Sequence, residues 1–290
     1  MRLTNLGKVL FPDDGITKAD VIEHVVRCQE PLLRALRRRP LSMERRVDGL
    51  RGNGFFHKHV PSHFPGWVTT TEIPTSKGPM RQVVVDDLAT LVLVTNFGGL
   101  TLHVPTCTID RPFHPDQLVI DLDPPPGTDL ERIREAARLV GAALHARDLP
   151  AYVRWTGSRG VHVVVPLDGR ATQDHVVEGS VRFADDLVQQ HPSLFTVEFA
   201  KADRGDRIYV DVGRNFPTAT CVAPFTIRPR PGAPIVTPIT WDELESTGPT
   251  SFTIRDGPAR AAADPWPDFE ASRVGLHTRN HRVAHSRPTE

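Results

Sequence analysis

The segment Leu118-Val-Ile-Asp-Leu-Asp123 constrains this chain more than any other stretch of it. In an extended strand successive side chains alternate faces, so Leu118, Ile120 and Leu122 point one way and Asp121 and Asp123 the other. Two carboxylates thus meet over one spot at the end of an apolar strand. Unpaired, they would repel and each would resist ionisation; a bound cation keeps both charged. An all-oxygen donor set suits Mg²⁺ or Mn²⁺. Taken alone, the motif also fits a plain, solvated strand end.

A second apolar strand, Arg207-Ile-Tyr-Val-Asp-Val212, sets Ile208, Val210 and Val212 on one face and leaves Asp211 on the other. Three strand-borne aspartates can bridge two divalent ions, the arrangement that activates an attacking hydroxyl and steadies a leaving pyrophosphate. By itself Asp211 is equally an acid waiting for Arg207 or Arg214. Between the two strands lies Trp155-Thr-Gly-Ser-Arg-Gly-Val-His162, a glycine turn whose backbone N–H groups and hydroxyls can cradle a triphosphate. His162 opens an apolar strand there, and a histidine so placed is more often structural than a ligand contact.

The rest of the chain alternates helix and strand signals, so an α+β fold is expected. Thr17-Lys-Ala-Asp20 reads as a capping box, and Val21, Val25, Leu32, Leu33 and Leu36 recur at helical spacing until Pro40. Residues 41–102 carry short β-type runs broken by Gly and Pro, then an apolar stretch at 88–94 that periodicity alone leaves as helix or strand. Thr128-Asp-Leu-Glu131 suggests a second capping box, and a further helix is expected over residues 173–190. No segment demands a domain split. Residues 1–102 and 103–271 read as two parts of one unit, with 272–290 a loosely held tail rich in His and Arg.

Residues 1–60 hold twelve Lys and Arg against seven Asp and Glu, although the whole chain is neutral, with 35 of each sign. Arg37-Arg38-Arg39 can cover phosphates or simply decorate a helix end. Phe55-Phe56 beside Lys58, in a glycine-rich loop, pairs an aromatic platform with a cation, as base-stacking surfaces do. No run of 18 apolar residues could span a bilayer, and no apolar leader follows Met1. The three cysteines, Cys28, Cys107 and Cys221, lack zinc spacing, and so do the groups His57, His59 and His63 and His103, Cys107 and His114. A reducing, cytoplasmic setting is expected.

Taken in order, Asn5-Leu-Gly-Lys-Val-Leu-Phe-Pro, Phe55-Phe-His-Lys, His103, Asp121-Leu-Asp, Gly157-Ser-Arg-Gly-Val-His, Val210-Asp-Val and Ala223-Pro-Phe-Thr-Ile-Arg-Pro-Arg resemble a known family. That family is the polymerase domain of the bacterial end-joining DNA ligase of the D type, within the archaeo-eukaryotic primase superfamily. The resemblance runs from about Thr4 to Trp266. It implies a primase-polymerase fold, with central β-sheets flanked by helices, that adds nucleotides in DNA repair.

It further implies that Asp121, Asp123 and Asp211 hold two Mn²⁺ or Mg²⁺ ions. Thr156, Ser158, Arg159, His162, Arg228 and His103 would face the incoming nucleotide. Lys8 and Lys18 would grip the 5′-phosphate of a gap or end, and Phe55 or Phe56, with Lys58 nearby, would stack on the template. NTPs or dNTPs are the expected substrates, with ribonucleotides preferred, and a separate DNA ligase and Ku are the expected partners. The sequence departs from the family pattern at Arg159, where lysine is usual, and at Val212-Gly-Arg, which replaces a tryptophan-containing run. His103 is followed by Val-Pro rather than Pro-Trp, and Glu44 falls near a position often basic. The rival readings are a DNA-end-binding module without turnover, a metal-dependent nuclease, and a primase that starts chains de novo.

Overall fold

In the computed structural model, which describes residues 1–75 and 78–276, helices and sheets mix as an α+β fold. The chain opens with β1 (Val9–Phe11) and β2 (Ile16–Thr17), a hairpin that leads into α1 (Lys18–Arg27) and α2 (Gln29–Leu36). The capping box at Thr17 and Asp20 is formed as the sequence predicts. The single helical run expected up to Pro40 is instead broken at Cys28. Pro31 accounts for the break: its ring would clash with the carbonyl of Arg27 in a continuous helix but is accommodated in the first turn of a new one.

Next come β3 (Ser42–Arg45), β4 (Phe55–His57), β5 (Thr70–Ile73) and β6 (Met80–Val83), then α3 (Leu88–Asn96) and β7 (Gly99–Val104). The ambiguous stretch at 88–94 is thus helix. Asp87 decides it by accepting the N–H of Thr90 at 2.7 Å, and Gly98, at φ 97°, ends it. Two of the three arginines at 37–39 are spent on carboxylates of the chain itself. Arg38 pairs with Asp110, and buried Arg39 places Nη2 2.6 Å from both oxygens of Asp116.

The second half runs β8 (Gln117–Asp123), α4 (Leu130–His145), β9 (Tyr152–Trp155), β10 (Val161–Pro166), α5 (Gln173–Gln190), β11 (Phe195–Thr196), β12 (Ile208–Asp211), β13 (Cys221–Val222), β14 (Thr237–Ile239), α6 (Trp241–Ser246) and α7 (Gly257–Ala263). The N-cap of α4 is Asp129, not Thr128; Thr128 donates its hydroxyl to Pro125 instead. Asp129 wins because its carboxylate reaches the Glu131 N–H at 2.7 Å.

Six strands form one sheet in the order β11-β12-β8-β10-β9-β14, and four form another in the order β13-β7-β3-β4. The six-stranded sheet buries one face against α4 and α5, with Ile120, Leu122, Val163, Val210, Ala137 and Phe183 in its core. The four-stranded sheet shares a separate core with α1, α2 and α3, to which Ala223, Phe225, Ile227 and Ile235 return from late in the chain. That return brings β13 against β7 and closes the two sheets around a pocket. Ser272 to Leu276 stay attached: Val274 bridges to Leu167, and Arg273 donates to the Leu167 carbonyl at 2.8 Å. The remainder of the expected tail, 277–290, lies outside the described residues. Among the described residues no helix is long and apolar enough to cross a membrane.

Candidate active site

Strand register builds the site. Asp211 on β12 lies directly across from Asp121 on β8, and Asp121 lies across from His162 on β10. His162 in turn faces Arg154 on β9. Four side chains thus form one row across four strands spaced about 4.8 Å apart. Asp123, two residues along β8, stands on the same face, opposite Tyr209. The partner face of β8 is buried, which fixes this register, since a slip of one residue would bury the acids.

The acids are held by cations. Arg214 spans the gap between strands, with Nε 3.2 Å from Asp121 and Nη2 2.9 Å from Asp211. Asp123 receives Arg204 at 3.3 Å and Arg159 at 3.6 Å. Burial works against charge on Asp121, but His162 and Arg214 outweigh it and hold the carboxyl at about 2. Asp211 goes the other way: burial, and the charges of Asp121 and Asp123, raise it despite Arg214. Among the described residues no group of three or more His, Cys, Asp or Glu is gathered closely enough to hold a metal ion without rearrangement.

The pocket beside this row encloses about 260 Å³ and collects His103, Asp121, Asp123, Thr156, Ser158, Arg159, His162 and Arg228. Of the nucleotide-facing and acidic residues expected from the sequence, Asp211 alone lies outside that lining, one strand further along. The turn between β9 and β10 is closed by Thr156, whose N–H and hydroxyl both donate to the Gly160 carbonyl. Gly157 takes φ +65°, and a side chain there would meet Arg228 and the Ile235 carbonyl. His103 is kept neutral, near 3, by burial and by the positive charge of Arg228 and Arg214. Its buried Nε2 and the Nε of Arg228 have no protein partner, so the pocket offers unspent polar groups.

The other expected residues form two further features. Phe55 and Phe56 on β4 are 49% and 59% exposed, and Phe56 meets His103 edge-on at 5.2 Å. An open aromatic pair therefore borders the pocket, with Lys58 exposed beyond it. Lys8 and Lys18 line a separate, small cavity with Asn5 and Arg46 at the start of α1. Lys18 is buried there, donates to the Thr4 carbonyl at 2.9 Å, and has its pKa lowered by burial and by Lys8. Lys8 is tied to Asp48 at 2.6 Å.

Residues 17–266 match the primase-polymerase domain family of LigD. The chain belongs to that family. The primase-polymerase chain is therefore a nucleotidyltransferase. It is 29% identical over 279 residues to the multifunctional non-homologous end joining protein LigD of Pseudomonas aeruginosa, covering 94% of this chain and 33% of that protein. It is 30% identical over 246 residues to the protein so named from Mycolicibacterium smegmatis, covering 84% and 32%. The chain thus spans about a third of the length of these relatives. Its fold superposes on the polymerase domain of Mycobacterium tuberculosis Ligase D, solved in complex with DNA, with TM-score 0.87 and 27% identity. That match covers 93% of this chain and 98% of the other.

Several residues of this primase-polymerase site escape sequence reasoning. Arg204 reaches Asp123 while stacking over Tyr209 at 3.9 Å, yet nothing in its local sequence separates it from other arginines. Cys221, Thr220 and Arg230 enter the pocket only because β13 pairs with β7. Arg154 has a signal in hindsight, a charge inside an otherwise apolar strand, where an arginine needs a buried reason to be.

Proposed function

We propose that this chain is a template-dependent polymerase that fills short gaps and extends broken DNA ends by a two-metal mechanism. The observation that carries the reading is the register of Asp211 against Asp121, with Asp123 beside them at the mouth of a basic pocket. The donor chemistry suits a pair of divalent ions, although the carboxylates would have to draw together to bind them. Their donors are all oxygen, and Asp211 resists ionisation because its neighbours are anionic, the condition a cation relieves. Arg214, bridging two carboxylates, supplies one positive charge to that spot.

Asp121, Asp123 and Asp211 would hold the ions, which when bound would activate the primer 3′-hydroxyl and neutralise the departing pyrophosphate. The chain's own groups do the rest. Arg228, Arg159 and the turn at Gly157 to Gly160 would bind the triphosphate, with Thr156, Ser158, His103 and His162 completing its surroundings. Phe55 or Phe56 would stack on the template base, with Lys58 on the backbone. Lys8 and Lys18 would take a 5′-phosphate, Lys8 leaving Asp48 to do so.

The relatives named for end joining support a role in DNA repair; a separate ligase and Ku as partners, and a place in the nucleoid, belong to the same proposal. We also place manganese and ribonucleotides as the preferred ion and substrate, and residues 1–271 as one catalytic unit. The test is extension of a labelled primer across a short gap with a 5′-phosphate, using NTPs or dNTPs with Mn²⁺ or Mg²⁺. Wild type should extend and Asp121→Ala should not, while still binding DNA. Shortening of the DNA would indicate a nuclease. Tight phosphate-dependent binding without extension would leave an end-binding module.

A further inference from the structure

Arg154 is 2% exposed and no carboxylate pairs with it among the described residues. Its partners are unusual for a buried cation. Nε donates to His162 Nδ1 at 3.1 Å, and Nη2 donates to Cys221 Sγ at 3.2 Å. The Cys221 sulfur also lies 3.5 Å from His162 Nδ1, so the three groups form a closed triangle, with His162 and Cys221 lining the pocket and Arg154 behind them. On the other side of the ring, His162 Nε2 is 3.3 Å from Asp121 Oδ1.

A guanidinium has five donors and no acceptor, and it does not lose its proton in proteins. The nitrogen it faces must therefore accept. An imidazole that accepts at Nδ1 carries its proton at Nε2, which is the atom turned toward Asp121 and the pocket. Burial opposes charge on the ring, but the Cys221 sulfur and Asp121 outweigh it and raise its pKa to about 8. Hydrogen-bond geometry stands against the doubly protonated form, because a proton on Nδ1 would point at the Arg154 N–H 3.1 Å away. The sulfur's part is to accept from Nη2 and so keep the guanidinium in line with the ring.

We infer that Arg154 and Cys221 are positioning residues that fix His162 as the Nε2–H form, a donor toward the pocket. The inference rests on the reading of His162 as a nucleotide contact. Held this way, His162 offers a hydrogen bond to an anionic phosphate oxygen and has no free lone pair at Nε2 for a metal ion. The metal ligands are then carboxylates alone, and His162 serves the triphosphate.

The test is nitrogen NMR of the ¹⁵N-histidine-labelled full chain, with the His162 signals assigned by their loss in His162→Gln. Wild type should show an unprotonated Nδ1 and a protonated Nε2. A proton on Nδ1 would overturn the inference, and this measurement needs no variant that might fail to fold. In Arg154→Met the single tautomer should be lost and the KM for the incoming nucleotide should rise about tenfold, the effect of one hydrogen bond to a charged group, with kcat falling less. Arg154→Lys should restore the tautomer and most of the KM. An unchanged tautomer in Arg154→Met would also overturn the inference. A changed tautomer with wild-type KM in both Arg154→Met and His162→Gln would uphold the lock and refute the nucleotide contact.

Discussion

A single methyl group at Gly160 should test whether the carboxylate geometry carries the activity. Gly160 lies between the turn that follows β9 and the start of β10, and a Cβ built on it would sit 2.2 Å from the carbonyl oxygen of Leu122, the residue between Asp121 and Asp123. Real Cβ contacts essentially never fall under 3.0 Å, so β8 or the turn must yield by at least 0.8 Å (3.0 − 2.2). The atom in the way is backbone, in a strand paired on both sides, and cannot swing aside. Overpacking of this kind costs about 1–3 kcal/mol of stability, or a few degrees of melting temperature in a chain of this size. Catalysis should suffer more, because a displacement of about 1 Å at a reacting centre can cost about 100-fold. Gly160→Ala should therefore melt as a folded protein, bind 5′-phosphorylated DNA as wild type does, and extend primers about 100-fold more slowly at saturating nucleotide. Wild-type extension in the folded variant would refute the link between this turn and the aspartates.

In chelator, Asp121 and Asp211 should respond oppositely to neutralisation. Asp121 is depressed in the fold, so it contributes stability above its unfolded pKa that is lost as pH falls toward about 2. Asp121→Asn should then melt lower than wild type by about 2 kcal/mol at neutral pH, the gap closing toward pH 2. Asp211 is raised, so its charge costs stability above the unfolded pKa; Asp211→Asn should melt higher at neutral pH and lose any Mn²⁺-dependent gain. A lower melting point for Asp211→Asn would count against that account. Arg39→Met should leave the partly buried Asp116 carboxylate with Arg273, 3.9 Å away, as its remaining cation and cost about 1–3 kcal/mol in urea unfolding, with most of it recovered in Arg39→Met/Asp116→Leu. Lys18→Ala should weaken binding only to gaps that carry a 5′-phosphate; equal loss on hydroxyl ends, measured by fluorescence anisotropy, would remove the proposed pocket.

The acids themselves were legible. Alternation in Leu118 to Asp123 and in Arg207 to Val212 put Asp121, Asp123 and Asp211 on polar faces because side-chain direction in a strand depends only on local spacing. The capping box at Thr17 was equally local, and so was the helix at 173–190. Errors came where two local rules competed. Thr128 and Asp129 both cap well, and reach to a backbone N–H chose between them. A helical run through Cys28 satisfied periodicity, but Pro31 overrode it. The apolar stretch at 88–94 had no periodic answer, and the Asp87 cap supplied one.

Arg214 beside Asp211 was legible, being three residues on, but the cations of Asp121 and Asp123 were not, because they follow from the pairing of segments far apart in sequence. Asp121 meets Asp211 across 90 positions, and Cys221 reaches His162 only because the chain after β12 returns to pair with β7. The resemblance supplied a set of site residues, and the tertiary structure arranged most of them around one pocket while spending Arg38, Arg39 and, at rest, Lys8 on carboxylates of the molecule itself. Sequence by itself determined the faces of the strands, the α+β class and the oxygen donors. The neighbours of each charge, and with them the proton on His162 and the opposite behaviour of Asp121 and Asp211, were decided by long-range pairing, since electrostatic effects depend on distance and burial rather than on order along the chain.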